Sequence, residues 1–336
     1  MPAQNVWMEK RLDAIEQALA ASLPEGELAP TRLHEGMRHA VLGGGKRVRA
    51  LLCLAAAEAL AGNAAAALKA ACALELMHAY SLVHDDMPSM DNDVLRRGKP
   101  TVHVAFGEAT ALLVGDGLQA LAFELLSSIT HEGVASNQAL AAVSTLARAV
   151  GPAGMVGGQA IDLAIAGSAQ PADTPCSLET LQAMHRMKTG ALLQAAVELG
   201  LCCGPDTGAR DASAPQLRRF AAAIGLAFQI VDDVLDVEAD SATLGKTAGK
   251  DRAMAKPTYV SLLGLNEARR RALALHREAL QSLEELGSLQ PPSLPQALPP
   301  RSRALLSSPP TSSASPLPPA LQPLAQLADL IVHRKS

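Results

Sequence analysis

Between residues 8 and 287 the apolar residues recur at the three- and four-residue spacing that lines one face of a helix, and no run alternates apolar with polar residues as a strand does. Met8, Leu12, Ile15 and Leu19 set the pattern. Breakers divide it at Pro24 and Gly26, at Gly43-Gly44-Gly45, at Gly151-Pro152, over 167–175 and at Gly204-Pro205. Ala and Leu favour helix, and aromatic residues make up only 2% of the 336 residues, far too few for a β-sandwich or barrel. The chain is therefore predicted to be all-α. No repeat of fixed period suggests a solenoid.

Charge and cysteine content narrow the function. A formal net charge of -4 with so few aromatic rings leaves no footprint for nucleic acid. The five cysteines form no Cys-x-x-Cys and read as small core hydrophobes in a reducing compartment. Glu9, Lys10, Arg11, Asp13 and Glu16 argue against a signal peptide. Charges also interrupt the most apolar stretches: Glu58, Lys69 and Glu75 in 51–76, Asp116 and Glu124 in 109–126. A cytoplasmic protein without a membrane span is expected.

Composition changes after Gly287. Ten of the 22 prolines fall between Pro291 and Pro319, mixed with Ser, and no acid occurs between Glu285 and Asp329. Proline removes a helical donor and restricts its predecessor, so 288–320 is predicted to be a disordered insertion. Leu321, Leu324, Leu327 and Ile331 then resume a helical pattern. Residues 1–287 and 321–336 are expected to form one domain.

Two acidic clusters carry the chemistry. In the run 228–236, Asp232, Asp233 and Asp236 are embedded among Ile230, Val231, Val234 and Leu235. Asp232 and Asp236 share a helical face, where like charges repel and unpaired burial costs several kcal/mol. A bound cation removes that conflict. In the other cluster, Asp85 and Asp86 precede Pro88 and Asp91 follows it. A helix ending near Pro88 would let the next loop fold back and bring Asp91 to Asp85. Hard oxygen donors without a His/Cys set imply Mg²⁺, which bridges carboxylates to phosphates.

Cations accompany both clusters. They occur in Gly43-Gly44-Gly45-Lys46-Arg47-Val48-Arg49, at Arg96 and Arg97, in Lys188-Thr189-Gly190 and in Gly245-Lys246-Thr247. An anionic phosphorylated ligand is their complement. Neither Gly-Lys pair completes a P-loop, and Lys188-Thr189-Gly190 lacks the serine motifs of penicillin-binding enzymes.

In this order the motifs resemble the short-chain trans-prenyl diphosphate synthases, in particular the bacterial farnesyl diphosphate synthase branch. They are GGGKRVR at 43–49, HAYSLVHDDMPSMDND at 78–93, LRRGKPT at 95–101, GGQAIDL at 157–163, KTG at 188–190, FQIVDDVLD at 228–236 and LGKTAGKD at 244–251. The resemblance implies antiparallel helices around a central apolar cavity of the isoprenoid synthase type, and a homodimer. It implies that Asp85, Asp86, Asp91 and Asp232, with Asp233 and Asp236, hold more than one Mg²⁺ ion on an allylic diphosphate. Arg96, Lys188, Thr189, Gln229 and Lys246 would contact that substrate, and Lys46, Arg49, His78 and Arg97 would hold isopentenyl diphosphate.

The implied reaction is head-to-tail condensation of isopentenyl diphosphate with dimethylallyl or geranyl diphosphate to farnesyl diphosphate. Cations fixed around the leaving oxygens stabilise charge that grows only as the allylic C–O bond breaks. His78 lies two helical turns before Asp85, where a structural histidine is the alternative. Gln159 and Asp162 are supporting candidates, while Gly157-Gly158 equally suits close helix packing. Tyr80, with Ser81 beside it, lies roughly 7 to 8 Å down the helix from Asp85, where bulk in the family closes the cavity.

A geranylgeranyl diphosphate synthase, a class I terpene cyclase and a non-catalytic partner subunit are the rival readings. The two Asp clusters together with Lys46, Arg49 and Arg97 weigh against the last two. Ala50 and Val94 depart from the family, which commonly has Pro and an acid there. The insertion is the larger departure, and it leaves open whether Arg334 and Lys335 reach the substrate mouth.

Overall fold

A computed structural model describes residues 4–167, 176–238, 257–289 and 317–334. Lys246, Lys335 and the Pro/Ser-rich stretch 290–316, expected to be disordered, lie outside the described residues. The helices are α1 (Gln4–Ser22), α2 (Thr31–Val41), α3 (Val48–Ala59), α4 (Ala64–Asp85), α5 (Val102–Phe106), α6 (Glu108–Ser127), α7 (Ser136–Val150) and α8 (Met155–Gly167). They continue as α9 (Leu178–His185), α10 (Ala191–Cys202), α11 (Gly208–Glu238), α12 (Tyr259–Leu263), α13 (Leu265–Leu289) and α14 (Gln322–His333). The fold is all-α, as the apolar periodicity predicts.

The helices α3 and α4 form the centre. Residues 50–57 of α3 are all buried, as expected of a helix that is apolar on every side. Asn63 starts α4 by accepting a hydrogen bond from the Ala66 amide at 3.0 Å, and alanines at 66, 67, 70, 71 and 73 let neighbouring helices approach closely. α4 packs on α3 and α6, α10 on α3 and α7, and α11 on α13. Leu51, Leu74, Leu76, Met77, Leu118, Leu126 and Phe220 fill the shared core. A smaller core of Leu181, Met184, Ile230, Val231, Val234 and Tyr259 lies where α9, α11 and α12 meet.

Among the described residues, one strand pair escapes the helical pattern. Leu95–Arg96 (β1) and Lys99–Pro100 (β2) pair antiparallel across a two-residue turn. Arg97 and Gly98 both take positive φ, 53° and 74°, the requirement of a tight hairpin turn. Four paired residues are too few for alternation to be read.

Two expectations need adjustment. Helix α13 runs to Leu289, and the chain is packed again from Pro318, whose ring would touch a β-carbon added at Gly287, with Leu321 fully buried. Both ends of the expected insertion therefore belong to the folded body. Three helical stretches, Ala64–Asp85, Glu108–Glu132 and Ser136–Ile165, are also long and apolar enough to cross a membrane, contrary to the expectation drawn from their charges. The charges are too few to disqualify them, and Glu75 is neutralised inside the protein by Arg47 at 3.2 Å. Within the fold, 67%, 33% and 39% of these stretches' most apolar windows are buried.

Candidate active site

The end of α4 builds the first half of the site. Beyond Asp86 the chain turns back, with the Asp91 amide donating to the Asp85 carbonyl at 2.9 Å and the Asp93 amide to the Asp86 carbonyl at 3.1 Å. Asn92 adopts φ 52° in this turn, a conformation asparagine tolerates. The fold-back anticipated at Pro88 is thus present. Burial pushes the Asp85 carboxyl up to about 6; Lys188 opposes the shift and Asp91 adds to it.

Asp86 is differently placed. It is buried and accepts from Arg96 Nε at 2.9 and 3.1 Å, and from Arg96 Nη2. That fork ties the end of α4 to β1.

The second cluster lies near the C-terminal end of α11. Asp233 is buried, accepting from the Tyr259 amide at 2.7 Å and from Gln229 Nε2 at 3.2 Å, so it anchors α12 to α11. Asp232 is half-exposed and faces Arg334, whose Nη2 donates to Asp232 Oδ1 at 2.7 Å and to the Phe228 carbonyl at 2.9 Å. The Arg334 guanidinium lies 4.0 Å from the centroid of the Phe228 ring. Asp236 is one turn further along α11.

Between the clusters, Arg186–Gly190 forms a turn of π-helix, a distortion often found at functional sites. Lys188 donates to Asp162 Oδ2 on α8 at 2.6 Å, and Thr189 donates to Gln229 Oε1 on α11 at 3.1 Å. A β-carbon at Gly158 would collide with the Lys188 backbone, so this glycine lets α8 approach the turn. Close packing and support of the site are here the same feature. Both amide atoms of Gln159 are buried without a hydrogen-bond partner, beside the same lysine.

The glycine loop separates its cations by function. Arg47 (φ 46°) points inward and is buried against Glu16 at 2.7 Å, Glu75 at 3.2 Å and the Val41 carbonyl at 2.8 Å. Lys46, Arg49, His78, Arg97 and Arg334 line a cavity of about 390 Å³ with Phe228, and the Arg47–Glu75 pair forms part of its wall. The hairpin directs Arg97 to the Gly44 carbonyl. Arg49 Nε and Arg334 Nε are buried without partners, a demand that an anion would meet. Burial and the surrounding arginines hold the His78 imidazole well below its ordinary value, so it is neutral.

A second cavity, about 660 Å³, shares Arg49 and His78 with the first. Asp85, Lys188 and Thr189 stand at its polar side, and Tyr80, Ser81, Leu82, Met87, Leu112, Met155 and Leu163 line the rest. Tyr80 packs edge-on against His84, with ring centroids 5.0 Å apart.

Asp85, Lys188, Thr189, Tyr80, Ser81, Lys46, Arg49, His78 and Arg97 thus border two cavities that have Arg49 and His78 in common, one mostly cationic and one largely apolar, whereas Asp86, Asp91, Asp232, Asp233, Asp236, Arg96 and Gln229 line neither. The carboxylates offer hard oxygen donors that suit divalent ions: Asp85 is desolvated, Asp91 is folded back towards it, and Asp232 is half-exposed with Arg334 against it. Asp86 and Asp233 are buried and accept from Arg96 and from the Tyr259 amide and Gln229, respectively. Sequence reasoning did not assign Phe228 to the site and left Arg334 open; the basic tail was the only signal for the latter.

Comparison with known proteins agrees with the motifs. The family described as "Polyprenyl synthetase" matches residues 30–288. The chain is 50% identical over 285 residues to the "Probable farnesyl diphosphate synthase" of Bradyrhizobium diazoefficiens, covering 84% of this chain and 83% of that one. It is 47% identical over 284 residues to the chloroplastic geranylgeranyl pyrophosphate synthase of Capsicum annuum, covering 84% and 74%. A crystal structure of geranyltransferase from Helicobacter pylori, complexed with magnesium and isoprenyl diphosphate, superposes with a TM-score of 0.74 at 33% identity, covering 86% of this chain and 93% of that one. The chain belongs to the polyprenyl synthetase family of prenyltransferases.

Proposed function

We propose that this enzyme condenses isopentenyl diphosphate head to tail with dimethylallyl and then geranyl diphosphate, releasing farnesyl diphosphate. The observation that carries the reading is that Arg49 and His78 stand in the walls of both cavities, with Asp85 and Lys188 lining the apolar one and Lys46, Arg97 and Arg334 the cationic one. One diphosphate can bind on each side while the prenyl chain descends between Tyr80 and Met155.

Asp85, Asp91 and Asp232 would hold Mg²⁺, with Asp236 on the second side; bound ions supply the Lewis acidity that withdraws charge from the allylic diphosphate. Lys188, Thr189, Gln229 and Lys246 bind that diphosphate's oxygens. Arg96, already forked on Asp86, fixes the turn behind Asp85, and Asp233 performs the same service for α11. Lys46, Arg49, Arg97 and neutral His78 hold isopentenyl diphosphate, so its double bond meets the allylic carbon as the C–O bond breaks. A C–C bond forms, and the proton lost from the new product leaves with the released diphosphate. No side-chain nucleophile takes part, and the apolar lining excludes water that would capture the cation.

Tyr80 supports a farnesyl product, with geranylgeranyl diphosphate the alternative. A homodimer is the expected assembly, which sedimentation would detect. Five free thiols, three of them buried, suit a reducing compartment such as the cytoplasm.

Incubation with dimethylallyl diphosphate, isopentenyl diphosphate and Mg²⁺, followed by chromatography, tests the proposal. Farnesyl diphosphate formation that stops on chelation supports it. Geranylgeranyl diphosphate selects the alternative, and no elongation rejects catalysis by this chain alone.

A further inference from the structure

Away from the two cavities, α13 and α14 bring together three metal-ligating side chains that the proposed reaction does not use. His276 on α13 is only 8% exposed and shares a hydrogen bond of 2.8 Å between its Nε2 and Asp329 Oδ1 on α14. His333 lies one helical turn beyond Asp329, on the same face of α14, and its ring centroid is 5.2 Å from that of His276. One ligand atom from each residue lies within 4.8 Å of the others. Around a zinc ion, donors at about 2.1 Å stand about 3.4 Å apart, a closure that side-chain rotation of exposed His333 and Asp329 can supply.

We propose that His276, Asp329 and His333 form a binding site for a zinc-class divalent ion, which fastens the last turn of α14 to α13. Two imidazoles and one carboxylate are borderline donors that suit Zn²⁺, Co²⁺ or Ni²⁺ and suit Mg²⁺ poorly, so the ion differs from the one expected at the aspartate clusters. The Asp329 contact orients the buried His276 ring, and exposed His333 completes the set from the outside. The clip joins residues 53 positions apart in the chain across the 290–316 stretch, and a cross-link over a long connection opposes a large loop-closure entropy. Arg334 follows His333 directly, so the clip also holds the turn that delivers Arg334 to Asp232.

The test uses the full-length, chelator-treated protein with excess Mg²⁺ and no substrate, so its outcome does not depend on the catalytic reading. Co²⁺ is titrated and its visible absorption recorded. One equivalent should bind with an imidazole-type spectrum, Zn²⁺ should displace it, and His333→Ala and His276→Ala should each weaken binding tenfold or more. Zn²⁺ should also raise the Tm of the wild type and leave that of His333→Ala unchanged. His333 is exposed, so its variant stays informative should His276→Ala fail to fold. Absence of Co²⁺ binding to the wild type, or an unchanged affinity and spectrum in His333→Ala, overturns the proposal.

Discussion

Arg334 and Asp232 are 102 positions apart in the chain, and a guanidinium nitrogen of one lies 2.7 Å from a carboxylate oxygen of the other. The pair joins the cationic cavity to an aspartate expected to take metal. With Asp232 nearly half exposed, such a pair is worth about 1 kcal/mol or less. Arg334→Ala removes a competitor for the carboxylate, so Mn²⁺ affinity read by electron paramagnetic resonance should rise up to about fivefold. The KM for isopentenyl diphosphate should rise roughly tenfold, because a charge-assisted hydrogen bond is lost. A fall in metal affinity would contradict this account.

Asp85 has a carboxyl raised to about 6 by burial, above its ordinary 3.8. The folded chain then binds more protons than the unfolded chain between those values, so this group's cost to stability is absent at low pH and complete above about pH 6. Asp85→Asn should raise the Tm of the metal-free protein at pH 8 and have little effect at pH 4. Elongation should fall at least a thousandfold if Asp85 holds metal. Calorimetry at the two pH values together with a product assay checks both parts.

Tyr80 lines the apolar cavity beyond Asp85. Tyr80→Ala lengthens the space available, so geranylgeranyl diphosphate should become a major product. Radiolabelled products that remain unchanged in length would remove Tyr80 from this role.

Gly158 lies where a β-carbon would collide with the Lys188 backbone. Gly158→Ala should push α8 away from the π-helical turn, lowering the Tm by several degrees and kcat/KM for the allylic substrate by tenfold or more. An Asp162→Asn variant, which leaves the helices in contact, should lower kcat/KM while leaving the Tm nearly unchanged.

Replacing 290–316 with a Gly/Ser linker of sufficient reach should leave turnover intact, since buried Leu286 and the Gly287–Pro318 contact are retained. Extending the deletion through Leu321 should destabilise the protein, because that side chain is fully buried. Steady-state kinetics and thermal melts distinguish the two deletions.

Much of this protein is written in short-range pattern. Apolar residues three and four apart announce amphipathic helices such as α1, apolar runs announce the buried α3 and α4, and Pro88 announces the turn that returns Asp91 to Asp85. Those features depend on backbone geometry over a few residues, which a linear string displays. Tertiary packing decided which protein partner each charged side chain takes: Arg47 turned to Glu16 and Glu75, Asp86 to Arg96, Asp233 to Tyr259, and Lys188 met Asp162. It also brought Arg334 to Asp232. A charged group takes whichever partner spares it desolvation, and these partners come from helices distant in the chain, so only the assembled helices decide the pairing.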